Sequence, residues 1–155
     1  MNIYDILKEL DIRYEEIEHK AIYTAEEALQ ENIANRIDGI GCKNLFVKSK
    51  NKYYLIFIKA EKRAELKLVA ELLNETRLSF ASEKELKDIL NLTIGSVTPF
   101  GLVNDRENLV TLLIDKELEN QKVLVHPNVN TKTVSIQLSD LIKLIEHIKH
   151  QYILF

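Results

Sequence analysis

Cysteine, glycine and proline are all scarce in this 155-residue sequence: one Cys, four Gly and two Pro. The lone thiol, Cys42, excludes an internal disulfide and suits a reducing compartment. No apolar run approaches the length of a membrane span. The opening "MNIYDILKEL" carries acids among its apolar residues and lacks the basic start and small-residue cleavage site of a signal peptide. The expected location is the cytoplasm. The length predicts one domain spanning residues 1–155, large enough to bury a core.

Several kinds of chemistry are missing as well. There is no GxxxxGK[ST] loop and no GxGxxG, and the "GIG" at residues 39–41 is too short to count. No His/Cys/Asp/Glu group has metal-ligand spacing, so neither a metal nor another cofactor is expected. Nothing local lowers the pKa of Cys42, which argues against a nucleophilic role. His147 and His150 stand three apart near the C-terminal end and read as surface residues.

The residues that are scarce are also concentrated. All six Gly and Pro fall in "DGIGCKN", "IGSVTPFG" and "VHPNVNT". Gly allows close backbone approach and positive φ, and Pro stiffens a turn, so these loops have specially shaped backbones. Exposed amides in such loops can grip an anionic or carbonyl oxygen. Charge is uneven too. Residues 1–42 hold four basic and ten acidic residues, whereas 43–67 hold eight basic and two acidic. The basic block reads either as a footprint for phosphate or as a solvated hairpin rim guarded by lysines.

The pattern predicts an α+β domain with a mixed, mostly antiparallel sheet flanked by helices. Ile3, Ile6, Leu7 and Leu10 predict a helix over 2–10, and "RYEEIEH" reads as extended. Thr24 and Glu27 have capping-box spacing before a helix running to about Asn35. "CKNLFVKS" and "YYLIFIKA", joined by "KNK", predict a hairpin. A helix with Leu66, Val69, Ala70 and Leu73 on one face follows, then a short strand in "RLSFA". Ser82 and Glu85 cap the next helix. "LVTLLID" reads as a buried strand and "KVLVHP" as another. "KTVSIQL" alternates, with Val134, Ile136 and Leu138 on one side. Ser139 is the expected cap of a last helix.

With these motifs in order, the chain resembles the YbaK/prolyl-tRNA editing family, freestanding relatives of the editing insertion in bacterial prolyl-tRNA synthetases. The resemblance runs through "EHKAIYTAEEA" (18–28), "CKNLFVKSKNKYYLIFIKAEKRAELK" (42–67), "RLSFASEKELKDILNLTIGSVTPFGLVND" (77–105) and "VLVHPNVNTKTVSIQLSDLIKLIE" (123–146). The third stretch looks like the branch that removes alanine from proline tRNA; the cysteine-removing branch is nearer to "GGxSPxG". One departure is Lys20, where the family usually has Pro.

The resemblance implies a YbaK-like fold and an aminoacyl-tRNA hydrolase that cleaves the ester of mischarged alanine. It implies Lys43, Gly95 and His126 as catalytic residues. It implies Asn44, Ser96, Val97, Thr98, Pro99, Phe100, Thr24 and Asn130 as substrate-binding residues. The basic block would then meet the tRNA through Lys48, Lys50, Lys59, Lys62 and Arg63. The partner would be aminoacylated proline tRNA at its terminal adenosine, with prolyl-tRNA synthetase as a second candidate and no membrane. An aminoacyl ester is already activated, so the site need only orient water and stabilise an oxyanion. A neighbouring ribose hydroxyl of the substrate would help to position that water. The length leaves no room for a synthetase core, so editing would occur in trans. The alternatives are removal of cysteine or serine, or a non-catalytic module that binds tRNA or the synthetase.

Overall fold

The computed structural model describes residues 2–50 and 52–155. Helix α1 (Ile3–Glu9) is capped by the Asn2 side chain and buries Ile3, Ile6 and Leu7. Strand β1 (Glu15–Glu18) follows, then helices α2 (Ala25–Gln30) and α3 (Ile33–Arg36). The single helix expected over this stretch is interrupted. Asn32 lies in the left-handed region at φ +56 and its side chain accepts from Asn35 Nδ2 at 2.6 Å. Asn tolerates this conformation better than other side-chain-bearing residues, and one such residue ends a helix.

Strands β2 (Cys42–Lys48) and β3 (Tyr53–Lys59) form the expected hairpin, Cys42 opposite Lys59 and Lys48 opposite Tyr53. Asn51, in the expected turn, lies outside the described residues. Helix α4 (Leu66–Leu72) buries Val69 and Ala70. Strand β4 (Ser79–Phe80) leads into α5 (Glu83–Glu85), which has the expected reciprocal Ser82–Glu85 cap and continues as a π turn over Leu86–Leu90. A 3-10 segment, Pro99–Asn104, precedes β5 (Val110–Ile114), and another, Lys116–Leu118, follows it. Strands β6 (Lys122–Val125) and β7 (Lys132–Gln137), helix α6 (Leu138–His147) and strand β8 (Tyr152–Leu154) complete the chain. Ser139 is not the cap of α6: the cap position is Gln137, with no side-chain bond, and Ser139 sits inside the first turn.

The pairing is mixed and mostly antiparallel as expected, but it is divided between two sheets. One has the order β1-β7-β6 and is antiparallel throughout; the other has the order β4-β2-β3-β5-β8, with β3-β5 and β5-β8 parallel. Strands β3 and β5 are covered on both faces, which explains the continuous apolar run of each. Leu55, Phe57, Leu112 and Ile114 face the main core with α1, α6 and the π turn. Tyr54, Ile56, Ile58 and Leu113 face α4. Each fully buried Leu, Ile or Phe contributes about 1.5–3 kcal/mol, so this two-sided burial anchors the larger sheet. Strand β7 is buried on both sides as well, Thr133 and Ser135 included.

The sheets meet at a short parallel seam. Ile40 bridges Val123, with Ile40 N–H donating to Lys122 O at 2.8 Å and Leu124 N–H to Ile40 O at 3.0 Å. Gly39 allows the approach: at φ +153, its Cβ would stand 2.6 Å from Leu124 Cδ2. A further correction concerns His150, which is buried rather than exposed. Its Nε2 lies 3.0 Å from Asp105 Oδ2, and the pair's side chains are 4% and 1% exposed.

Candidate active site

The seam brings two of the Gly/Pro loops to one place. Lys43 and His126 each follow the Ile40–Val123 bridge by three residues, and β2 and β6 remain in contact beyond it. Residues in parallel register share a face. Ile40, Cys42, Val123 and Val125 all turn to the main core, so Lys43 and His126 emerge on the opposite side. Lys43 is half-buried, and among the described residues its ammonium has no hydrogen bond or ion pair. Asn44, the next residue, alternates to the core side, where its Oδ1 is buried and, among the described residues, has no partner.

The third loop, residues 93–98, closes on the chain segment before α2. Gly95 has φ +93, and a Cβ there would lie 2.8 Å from Tyr23 Cδ1, 3.3 Å from Ile22 O and 3.4 Å from Asn130 Nδ2. Only glycine fits both the conformation and the space. Asn130 ties the segment down: its carbonyl accepts from Ile22 N–H at 3.1 Å and its Nδ2 donates to Ile22 O at 3.3 Å. Thr98 Oγ1 donates to His126 O at 2.7 Å, which joins the glycine loop to the histidine loop. Gly95, Thr98, His126 and Asn130 are therefore assembled by direct contacts.

Within the glycine loop, the Ser96 amide bonds to Thr93 O at 3.1 Å. Among the described residues, the amides of Gly95, Val97 and Thr98 have no protein acceptor. Unpaired loop amides of this kind suit an oxyanion. The side chains expected to bind substrate nearby are otherwise engaged. Ser96 Oγ donates to Thr93 O at 3.0 Å, Thr98 is fully buried, and Pro99 and Phe100 are buried in the main core. These four residues shape the loop and present no free side chain. Thr24 caps α2, accepting from Glu27 N–H at 3.1 Å.

His126 has a fixed tautomer. Its Nδ1 donates to Lys132 O at 3.1 Å, which leaves the Nε2 lone pair as an acceptor. Burial lowers its pKa below the ordinary imidazole value; the Lys132 bond opposes this and His19 adds to it. His19 stands edge-on to His126, ring centres 6.5 Å apart, held by Lys20 O and the Thr133 hydroxyl at 2.8 Å each. The sequence reading missed His19, Ile22 and Tyr23 as neighbours of the site. The only sign of them was their place in "EHKAIYT". Burial pushes the Cys42 thiol up to about 12, which disfavours the thiolate a nucleophile needs.

The basic block does not form one surface. Lys48 and Lys50 lie at the turn end of the hairpin; Lys59, Lys62 and Arg63 lie at the other end, roughly 20 Å away along seven-residue strands. Three of the five are neutralised. Lys48 pairs with Glu85 at 2.9 Å, Lys59 with Glu117 at 3.8 Å, and Lys62 with both Asp115 and Glu117. The Tyr53 hydroxyl, the Ser82 amide and Lys48 hold Glu85 down to about 2, so that pair is charged at neutral pH. Among the described residues, Lys50 and Arg63 have no acidic partner. Two clefts lie elsewhere. One of about 960 Å³ sits between Tyr54, Thr111, Glu146 and His150, and one of about 390 Å³ lies beneath α4. Neither is lined by Gly95, Lys43 or His126.

The family model for the aminoacyl-tRNA editing domain matches residues 19–144. The chain is 40% identical over 143 residues to the prolyl-tRNA editing protein ProX of Acetoanaerobium sticklandii, covering 90% of this chain and 86% of that one. It is 31% identical over 150 residues to prolyl-tRNA synthetase associated domain-containing protein 1 of Danio rerio, covering 94% and 80%. A crystal structure of a protein proposed as a trans-editing enzyme for prolyl-tRNA synthetase superposes with a TM-score of 0.69 at 20% identity, covering 90% of this chain and 83% of the other. That last likeness concerns the fold alone.

Proposed function

The chain belongs to the aminoacyl-tRNA editing domain family, and from that premise we propose that it is a prolyl-tRNA editing deacylase that hydrolyses the ester of alanine mischarged on proline tRNA. The observation that carries the reading is the glycine loop. Among the described residues its Gly95 and Val97 amides have no protein acceptor, and it is bound through Thr98 to His126. Water attacks the ester carbonyl carbon, and the carbonyl oxygen becomes an oxyanion held by those amides. The bond to the ribose oxygen then breaks, and that oxygen leaves with a proton. The products are free alanine and tRNA with its terminal hydroxyl restored. The neighbouring ribose hydroxyl helps to place the water. His126 Nε2 accepts a hydrogen bond from substrate or water and needs no charge to do so. Lys43 supplies a point charge for the terminal phosphate or carbonyl.

Support for alanine comes from the likeness of residues 77–105 to the alanine-removing branch of the family. Proline sites discriminate poorly against smaller residues, since lost apolar contact is worth only about 1–3 kcal/mol, so a second sieve is required. The test incubates the protein with proline tRNA carrying alanine, cysteine, serine or proline, and with alanine tRNA carrying alanine. Release of alanine from proline tRNA only is the expected result. Equal release of cysteine or serine moves the specificity to that residue, and tRNA binding without hydrolysis leaves only a binding module. Lys43→Ala is expected to lose most activity while keeping its melting temperature.

A further inference from the structure

The cleft beneath α4 has no part in the site just described, yet it adjoins it. Lys43 pairs with Ile58 across the hairpin, and directly opposed residues share a face of the sheet. Ile58 forms part of the cleft floor with Ile56 and Val69. The cleft therefore lies on the same face of the larger sheet as Lys43, one strand away. At about 390 Å³ it is within the usual range of small-ligand sites, about 300–1,000 Å³. Leu68 of α4 forms one wall and stays 63% exposed, and Phe155 adds an aromatic surface. Arg63 and Glu65 stand at the mouth, and among the described residues neither has an ion-pair partner. The other charged pair there, Lys62 and Asp115, is engaged with itself.

We infer that this cleft binds the nucleotide preceding the terminal adenosine of the tRNA, a cytidine. The inference rests on the deacylase reading above. Each part of that nucleotide has a matching group. The base lies on the apolar wall of Leu68 and Phe155, as bases do on apolar and aromatic platforms. The Arg63 guanidinium takes the phosphate. The Glu65 carboxylate accepts from the cytosine exocyclic amine, the one donor that distinguishes cytosine from uracil at that position. The chain of the substrate would then run from the glycine loop, past Lys43, into the cleft.

The test compares alanyl esters of adenosine alone and of the dinucleotide cytidylyl-adenosine. The dinucleotide ester is expected to have a KM about ten-fold lower at equal kcat. Leu68→Asp and Arg63→Ala are expected to erase that difference without changing hydrolysis of the adenosine ester. Both residues are exposed, so both variants are expected to fold, which thermal melting verifies. Equal KM for the two esters overturns the inference, as does a variant that slows both esters alike. If neither ester is cleaved, the charged-tRNA assay decides the deacylase reading, and binding of 5′-fluorescein-labelled ACCA decides the cleft separately. Binding that Leu68→Asp and Arg63→Ala both weaken upholds it. No binding, binding unaffected by either variant, or occupation of the cleft by a protein segment overturns it.

Discussion

Asp105→Asn is expected to destabilise the fold sharply although the two side chains have nearly the same shape. The Asp105 carboxylate accepts from Leu109 N–H at 3.1 Å, from Val110 N–H at 2.9 Å and from His150 Nε2 at 3.0 Å. All of this is buried, and it ties the end of α6 to the loop before β5. Burial alone would raise the carboxyl pKa; the His150 bond and the two amides outweigh it and hold the group below its usual value. An amide in its place turns an NH2 toward donors and leaves at least one buried donor unpaired. Each such loss costs about 1–3 kcal/mol, and breaking a buried pair about 3–5 kcal/mol. The expected loss is about 3 kcal/mol, a fall in melting temperature of roughly 6–12 °C for a chain of this size. The measurement is a thermal or urea melt at pH 7 with Asp105→Asn, His150→Gln and the double variant. Strong coupling between the two positions is expected. Because the folded pKa is depressed, this contribution is present above the unfolded value near 3.9 and is lost as the pH falls through the folded value. A fall below about 1 kcal/mol, or additive single variants, refutes the reasoning.

Gly95→Ala should lower kcat much more than stability. The new methyl meets Tyr23 Cδ1 at 2.8 Å and a φ of +93 that alanine disfavours, so the loop must shift its amides; unchanged turnover would count against the oxyanion role. The pH–rate profile should stay flat through neutrality and turn down only below the ordinary imidazole value near 6.5, because burial keeps His126 neutral to lower pH. His126→Gln should abolish that acid limb, and a limb that persists assigns it to another group. Cys42 should react with iodoacetamide at pH 8 far more slowly than a free thiol, since burial pushes its thiol up to about 12; labelling at the free-thiol rate contradicts the burial.

Local signals carried much of the architecture. The hairpin over Cys42–Lys59, the Ser82–Glu85 cap and the buried run of β5 depend on near neighbours and on hydrophobic period, and each formed where the sequence put it. Local signals failed where a distant partner decided the outcome. His150 reads as a surface residue on its helix, and only Asp105, 45 positions away, makes burial tolerable. Ser139 has the chemistry of a cap, but pairing of β7 with β6 carries the strand to Gln137 and leaves the serine inside the helix. Strand β8 is three residues long and exists because β5 offers it a parallel edge.

The same division holds for the site. Sequence alone determined that glycine and proline mark three loops, because backbone freedom and rigidity are properties of the residue itself. It also determined the family, through motifs whose order survives without coordinates. Only the tertiary structure decided that the glycine loop leans on Ile22, Tyr23 and Asn130, and that two sheets meet at Ile40 and Val123. It alone divided the basic block into two ends and neutralised three of the five cations expected to meet tRNA. Contacts between residues far apart in the chain, and the acids that meet each lysine, follow from packing, which no local pattern encodes.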